Sequence, residues 1–179
     1  MDIGVISVRY ARALLKSATE QQLDDAVYQE MQLLAKSYID VPQLRQTIDN
    51  PMLSKDKKEA LLFTACGGDS MSPLTKAFIS LVLKEDRENM IQFMANSYVT
   101  LYRKQKNIIR GRLITAMAVT ADTEQKMRQM VESKTQGIVE FESEVNPDIV
   151  GGFILEYDTY RMDASVQSKL RDILNTLKK

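Results

Sequence analysis

The sequence predicts an N-terminal bundle of six helices, followed by a small α/β domain with a mixed sheet and two helices. Apolar residues recur at helical spacing through most of residues 1–106. Beyond residue 107 the spacing changes, since Val139, Phe141 and Val145 alternate with glutamates as in a half-buried strand. The final segment, residues 146–177, combines a hairpin pattern, a glycine pair and an amphipathic helix. We therefore expect two domains, residues 1–106 and 107–179.

Capping and breaking residues divide the first domain into its helices. Ser7 is a candidate cap for the first helix, and Pro51 disfavours helix at the residue before it, which ends the third. Gly67-Gly68 end the fourth helix, whereas Ser72-Pro73 supply a cap and a first-turn proline for the fifth. The predicted helices cover residues 7–21, 23–38, 42–50, 54–66, 72–83 and 87–106.

The second domain is predicted as strands and helices in alternation. A strand over residues 108–119 precedes a helix capped by Asp122, with Gln125 as the reciprocal partner of a capping box. A strand over 139–145 follows, and the hairpin strands 153–155 and 160–163 flank a turn at Asp158-Thr159. Ser165 is placed to cap a last helix that docks through apolar residues. These are Val166, Leu170, Ile173, Leu174 and Leu177.

Composition argues against several classes of function. The chain has 24 basic and 24 acidic residues, and this balance disfavours nucleic-acid binding. It contains no histidine, the commonest general base and metal ligand, and its single cysteine, Cys66, is expected in the core. We expect no metal and no cofactor. No apolar run is long enough to span a bilayer, and we identify no signal or transit peptide.

The first and fifth helices have apolar arcs wider than one core contact requires. An amphipathic partner helix laid in a groove would use this surplus. Periodicity alone leaves the alternative open that the same residues are ordinary core. The candidate groove residues are Ile6, Tyr10, Ala13, Leu14, Ser17, Phe78, Leu81 and Val82.

Two charged clusters are interpreted as solvated surface. One cluster is basic and consists of Arg103, Lys104, Lys106, Arg110 and Arg112. Because no aromatic residues alternate with these cations, we interpret the cluster as a solvated linker rather than a nucleic-acid site. Glu140, Glu142 and Glu144 lie on one strand face about 7 Å apart, too far for shared cation ligation without other oxygens.

Three segments resemble the delta subunit family of F-type ATP synthases, called the oligomycin-sensitivity-conferring protein in mitochondria. Residues 9–14, RYARAL, are similar to the family's opening R-Y-A-K-A-L. Asn50-Pro51, with the later Lys57-Lys58 and Leu61-Leu62, is similar to its N-P…K…L-L region. The GGFIL at 151–155, with the DASV and KL that follow, resembles its closing G-G-F/V-x-L…D-x-S-V…K-L signature.

This chain departs from the family pattern at two positions. The hairpin has Asp158-Thr159 where the family usually has glycine, and aspartate tolerates a left-handed turn. Ala164 stands where the family usually has glycine between Asp and Ser, so it would be strained if that position required positive φ.

The resemblance implies a non-catalytic stator subunit that joins the catalytic head to the peripheral stalk. It further implies that the first domain binds the N-terminal segment of an alpha subunit in a groove between the first and fifth helices, and that the second binds the C-terminal region of the b subunit. The expected assembly is a hetero-oligomer with one copy of this chain, at the cytoplasmic face of a bacterial membrane, without direct membrane insertion or nucleic-acid binding. The alternatives are a free-standing helical adaptor with unrelated partners and an enzyme that uses acidic and lysine side chains of the α/β unit.

Overall fold

The computed structural model describes residues 3–135, 137–157 and 159–177, without the side chains of Asp69, Lys134 and Thr135. The chain forms two compact units, Met1–Lys104 and Gln105–Lys179. This division lies two residues before the one expected from the change in hydrophobic period.

The first unit is helical. Its α-helices are α1 (Ile3–Glu20), α2 (Asp24–Asp40), α3 (Gln43–Ile48), α4 (Lys55–Ala65), α5 (Pro73–Lys84) and α6 (Ile91–Lys106). Short 3-10 helices at Gly68–Ser70 and Glu88–Met90 interrupt the succession, so the described part of this unit is not strictly a bundle of six helices.

The predicted cap of α1 is wrong, whereas the predicted cap of α5 is confirmed. The Ser7 hydroxyl donates to the Ile3 carbonyl at 2.8 Å within the helix, which therefore begins four residues earlier than expected. The Ser72 hydroxyl accepts from the Thr75 amide at 3.3 Å, and Pro73 occupies the first helical position.

The second unit contains a four-stranded mixed sheet in the order β2-β1-β3-β4. Its strands and α-helices are β1 (Ile108–Thr115), α7 (Ala121–Thr135), β2 (Ile138–Val145), β3 (Phe153–Tyr157), β4 (Tyr160–Asp163) and α8 (Val166–Leu177), and a short 3-10 helix at Pro147–Ile149 precedes β3. Strands β1 and β2 are parallel and joined through α7, whereas β3 is antiparallel to both β1 and β4. The mixed sheet with two helices was predicted.

The first strand and the following helix differ from expectation. Strand β1 ends at Thr115, whose hydroxyl donates to the Met117 carbonyl at 2.8 Å, and Met117 is 75% exposed. The cap of α7 is Thr120, which accepts from the Thr123 amide at 3.4 Å, and not Asp122. Asp122 instead lies inside the first turn and pairs with Lys126 at 2.6 Å.

The two faces of the sheet differ, although the face with charged pairs also carries a small buried cluster of Ile114, Ile149 and Ile154. One face packs against α7 through a cluster of four residues, each 1% exposed. They are Leu113, Val131, Val139 and Leu155. On the other face Arg110 pairs with Glu142 at 3.0 Å, and Arg112 pairs with Glu144. The two arginines were read as part of a linker, but they belong to β1 and pair with the glutamates of β2.

Gly152 makes the corner before β3 possible. Its φ is 76°, and a Cβ placed there would lie 2.3 Å from the Ala164 carbonyl oxygen. Ala164 itself is not among the residues with positive φ, so the family glycine is dispensable at this position. The register pairs Tyr157 with Tyr160 across the hairpin, but Asp158, predicted to carry its turn, lies outside the described residues.

A compact hydrogen-bond network begins α8. The Asp163 carboxylate accepts from the Ser165 hydroxyl at 2.6 Å, the Ser165 amide at 3.0 Å and the Ser168 hydroxyl at 2.7 Å. The Ser165 hydroxyl accepts from the Ser168 amide at 3.2 Å, which confirms the predicted cap. These hydrogen bonds, that of the Ser165 hydroxyl above all, lower the pKa of Asp163 to about 2.

The low pKa of Asp163 predicts a specific pH dependence. Because the carboxylate is preferred in the folded state, its contribution to stability is full above the ordinary pKa of 3.8 and is lost as pH falls toward about 2. We expect Asp163→Asn to destabilise the protein at pH ~6, and the difference from the parent to shrink at pH ~2.5. Urea denaturation of both proteins at the two pH values measures this.

The matched control is Asp148→Asn, a change at an exposed aspartate of the same unit. A destabilisation by Asp163→Asn that is independent of pH would contradict the assignment. So would a carboxyl carbon of Asp163 that titrates by NMR at its ordinary pKa.

Candidate partner-binding site

Helices α1 and α5 both present four residues at spacing i, i+3, i+4 and i+7, which places each quartet on one helix face. On α1 the quartet is Tyr10, Ala13, Leu14 and Ser17, and on α5 it is Leu74, Ala77, Phe78 and Leu81. The two quartets and Arg9 line a groove of about 420 Å³.

The groove has a buried floor and an exposed apolar rim. Leu14 and Phe78 are only 4% and 8% exposed, and they belong to the core as well as to the groove. Leu81 is 47% exposed, and Ala13 and Ala77 are also exposed. Exposed apolar surface at a concave site is typical of a binding surface rather than of a closed core.

Six of the eight residues predicted for the groove line it. They are Tyr10, Ala13, Leu14, Ser17, Phe78 and Leu81. The other two, Ile6 and Val82, are 7% and 0% exposed and do not line the groove. Ile6 lies one turn before Tyr10 on the same face of α1 but is buried there, whereas Val82 faces inward on α5.

Sequence reasoning missed Leu74, Ala77 and Arg9. Leu74 and Ala77 precede Phe78 by four and one positions, so extending the stripe of α5 toward its N-terminus would have found them. Arg9 borders the groove from the polar side of α1, and no apolar pattern marks it.

Tyr10 is held in place by an aromatic ring and a cation. Its ring meets that of Phe78 edge to face, with 6.4 Å between the ring centroids. Arg87, after the end of α5, donates to the Tyr10 hydroxyl at 2.8 Å, and its guanidinium carbon lies 5.3 Å from the ring centroid. These contacts fix the wall of the groove across α1 and α5.

The start of α5 is fixed by a buried carboxylate of α2. Glu30, 7% exposed, accepts from the Ser72 amide at 2.5 Å and from the Ser72 hydroxyl at 2.8 Å. It also accepts from the Thr75 hydroxyl at 2.5 Å. A carboxylate at the N-terminus of a helix is favoured by the helix dipole and by the free amides there. Glu30 therefore sets the position from which α5 and its quartet extend.

The region after α5 is anchored by a buried ion pair. Lys58 of α4 lies 2.8 Å from Glu88, and the two side chains are 5% and 16% exposed. Together, Glu30 and the Lys58–Glu88 pair restrain both ends of α5.

A second unpartnered apolar surface lies on α8. None of its described residues is buried, so the prediction of a docked last helix is wrong. The apolar stripe is 38% to 78% exposed along its length. It consists of Val166, Leu170, Ile173, Leu174 and Leu177.

The described residues offer little for chemistry. Cys66 is 1% exposed, and burial raises the pKa of its thiol to about 12, which disfavours the nucleophilic thiolate. Within residues 3–135, 137–157 and 159–177 there is no cluster of three side chains suited to a metal ion. The same ranges contain no helix with the length and apolar character that a bilayer crossing requires. Open apolar surface on both units is typical of proteins that dock onto other chains.

Comparisons with known proteins identify the family. The model of the ATP synthase delta (OSCP) subunit family matches residues 6–177. The chain is 46% identical to the ATP synthase subunit delta of Phocaeicola vulgatus, over 97% of this chain and 94% of the relative. It is 42% identical to that of Parabacteroides distasonis, over 97% and 96%. The chain belongs to the ATP synthase delta (OSCP) subunit family.

Family membership establishes the general role. The chain is a non-catalytic subunit of the peripheral stalk of an F-type ATP synthase, and a free-standing adaptor is not favoured. The fold agrees with a chain in the cryo-EM structure of the Toxoplasma gondii mitochondrial ATP synthase hexamer. That match has a TM-score of 0.65 at 20% identity and covers 97% of both chains.

The role of Glu30 in positioning α5 can be tested by substitution. We expect Glu30→Ala to cost about 2–4 kcal/mol of unfolding free energy, because it removes the carboxylate that accepts from the buried Ser72 amide and from the Ser72 and Thr75 hydroxyls. Glu30→Gln retains one acceptor oxygen and should cost less. Urea denaturation measures both, with the exposed Glu20→Ala as the control. Equal effects of Glu30→Ala and Glu20→Ala would contradict the role.

Proposed function

We propose that the groove between α1 and α5 receives the N-terminal segment of an alpha subunit as a helix. We further propose that the second unit binds the C-terminal region of the b subunit. One copy of the chain then links the catalytic head to the stalk at the cytoplasmic face of a bacterial membrane.

The dimensions of the groove support a helical occupant. Each quartet spans eight residues, or seven steps along the helix, which corresponds to roughly 10 Å along its axis, or two turns. A partner helix can fill such a groove with three or four apolar side chains at spacing i, i+3, i+4 and i+7. The exposed alanines at positions 13 and 77 leave room for its backbone to approach.

The exposed stripe on α8 supports a helical partner for the second unit. Its residues follow the same spacing over three turns, and nothing in the described part of the chain covers them. The C-terminal region of a stalk subunit that is itself a coiled coil would supply a complementary apolar stripe.

The groove proposal predicts the effect of a charge at Ala13. Because Ala13 is exposed and lines the groove, Ala13→Asp should leave the protein folded and weaken binding of the alpha-subunit segment by about 100-fold or more. The probe is a synthetic peptide of the first ~25 residues of the alpha subunit from the same organism, a length of about seven helical turns. Calorimetric titration of the full chain measures its affinity.

Ala60→Asp is the matched control, because Ala60 is an exposed alanine of α4 outside the groove. Binding that survives Ala13→Asp, or a parent protein that does not bind the peptide at micromolar concentration, would refute the groove. Circular dichroism of each variant establishes that it is folded.

The α8 proposal predicts a loss of stalk binding without a loss of peptide binding. Leu170→Asp combined with Leu174→Asp should abolish co-purification with a fragment of the b subunit, because these apolar side chains are 51% and 56% exposed. Asn175→Asp, on the polar side of the same helix, is the control. Retained co-purification by the double variant would place the stalk contact elsewhere.

A further inference from the structure

We propose that the groove between α1 and α5 selects an acidic amphipathic helix, whose carboxylates pair with a row of three cations on α1: Arg9, Arg12 and Lys16. This inference rests on the proposed function, because it specifies the chemistry of the helix that the groove receives.

The three cations form a single row beside the groove. Their spacing of three and four residues places them on one side of α1, with about 60° of spread. Arg9 lines the groove itself, whereas Arg12 and Lys16 line an adjoining depression of about 770 Å³. Ala13 and Arg9 belong to both concavities, so the basic row directly borders the apolar floor. The row, like the groove, is about two helical turns long.

The row has no counter-charge of its own. All three side chains are exposed, and none forms an ion pair with another residue in the described ranges. The described part of α1 contains no acidic residue before Glu20. Arg110 and Arg112 on the sheet face provide the contrast, because each is matched to a glutamate of the neighbouring strand. The protein has zero formal net charge, so a row of cations without paired carboxylates beside an apolar groove points to an acidic partner outside the chain.

The α5 side of the groove differs in charge, because none of the residues that line it there is a cation. Lys76 and Lys84 of α5 also form no ion pair with a described residue, but neither lines the groove or the adjoining depression. The cations that line these two concavities therefore lie on α1. An apolar stripe with carboxylates along one edge fits both features at once.

A helix fits this surface better than an anionic membrane does. Helix α1 is tied into the bundle by six buried residues, so it cannot turn its apolar side into a lipid interface. The apolar part of the site is a concavity, which a protruding helix fills and a flat bilayer does not.

The test compares charge reversal with salt dependence, using the alpha-subunit peptide and the full chain. We expect peptide affinity to fall as NaCl rises from about 50 to about 500 mM, because rim ion pairs are screened. We expect Arg12→Glu combined with Lys16→Glu to weaken binding by about tenfold at low salt and to remove the salt dependence. Neither residue lines the apolar groove, so a loss reports on charge rather than on shape.

Lys36→Glu combined with Lys57→Glu is the matched control, because both lysines are exposed on α2 and α4 outside the groove. A second peptide with its glutamates and aspartates replaced by lysine should recover affinity for the Arg12→Glu, Lys16→Glu protein. Recovery with this protein, but not with the Lys36→Glu, Lys57→Glu control of the same net charge, requires direct pairing at the row.

The outcomes separate this inference from the proposed function. A peptide that binds the parent protein, but with neither salt dependence nor sensitivity to the reversal, overturns the acidic selection and leaves the groove intact. A peptide that does not bind the parent at all overturns both. Vesicles containing phosphatidylglycerol are the competing probe, and vesicle binding that the reversal abolishes, with peptide binding unchanged, would assign the row to a membrane and overturn the inference.

Discussion

The central constraint in the first unit is that α1 and α5 have apolar residues on two sides, while the bundle can cover only one. Helix α1 buries Ile6, Ala11, Leu15 and Ala18 completely or nearly so, and its quartet from Tyr10 to Ser17 lies on the adjoining side. Leu14 belongs to both sets because it sits at the junction of the two sides. Burial of the inner set stabilises the fold, since each fully buried large aliphatic side chain contributes about 1.5–3 kcal/mol. The outer set is left as surface that only another chain can remove from water.

Polar contacts keep this surface open and in register. An apolar groove between two unrestrained helices would tend to close, because closure would bury the same side chains. Here α5 is restrained at its start by Glu30 and beyond its end by the Lys58–Glu88 pair, and Arg87 holds Tyr10 against Phe78. Each of these polar groups is specific in direction. Together they tie the start of α5 to α2, the segment after α5 to α4, and Tyr10 of α1 to Arg87. Such contacts add little net stability, but they limit the alternatives available to the bundle.

Much of this arrangement was predictable from the sequence, and the errors have physical causes. The helical period and the capping residues predicted the order of the elements. The spacing of apolar residues identified the quartet on α1. Val82 was wrongly assigned to the groove because an apolar residue near the boundary of a wide arc can face either way. Ile6 shares the face of Tyr10 but is buried, which helical spacing alone does not reveal. Glu30 was not predicted as an anchor, because its partners Ser72 and Thr75 are 42 and 45 residues away in the chain. The sequence predicted that α8 docks through its apolar stripe, whereas the structure leaves the stripe exposed. Periodicity shows that a helix is amphipathic, but it does not show what covers the apolar side.

A stator subunit has to resist torque, and the two surfaces suit that task better than one would. A contact of two helical turns is well below the roughly 800 Å² per partner of a standard stable interface, so the groove alone would hold its occupant only modestly. A second contact on the same chain strengthens the attachment, because effective concentration can raise the combined affinity by about 10²–10⁴ without any new interaction. Each individual contact can then break and re-form while the chain stays attached through the other. The structural requirement for such a subunit is therefore apolar surface on both units that its own fold leaves uncovered, which α1, α5 and α8 provide.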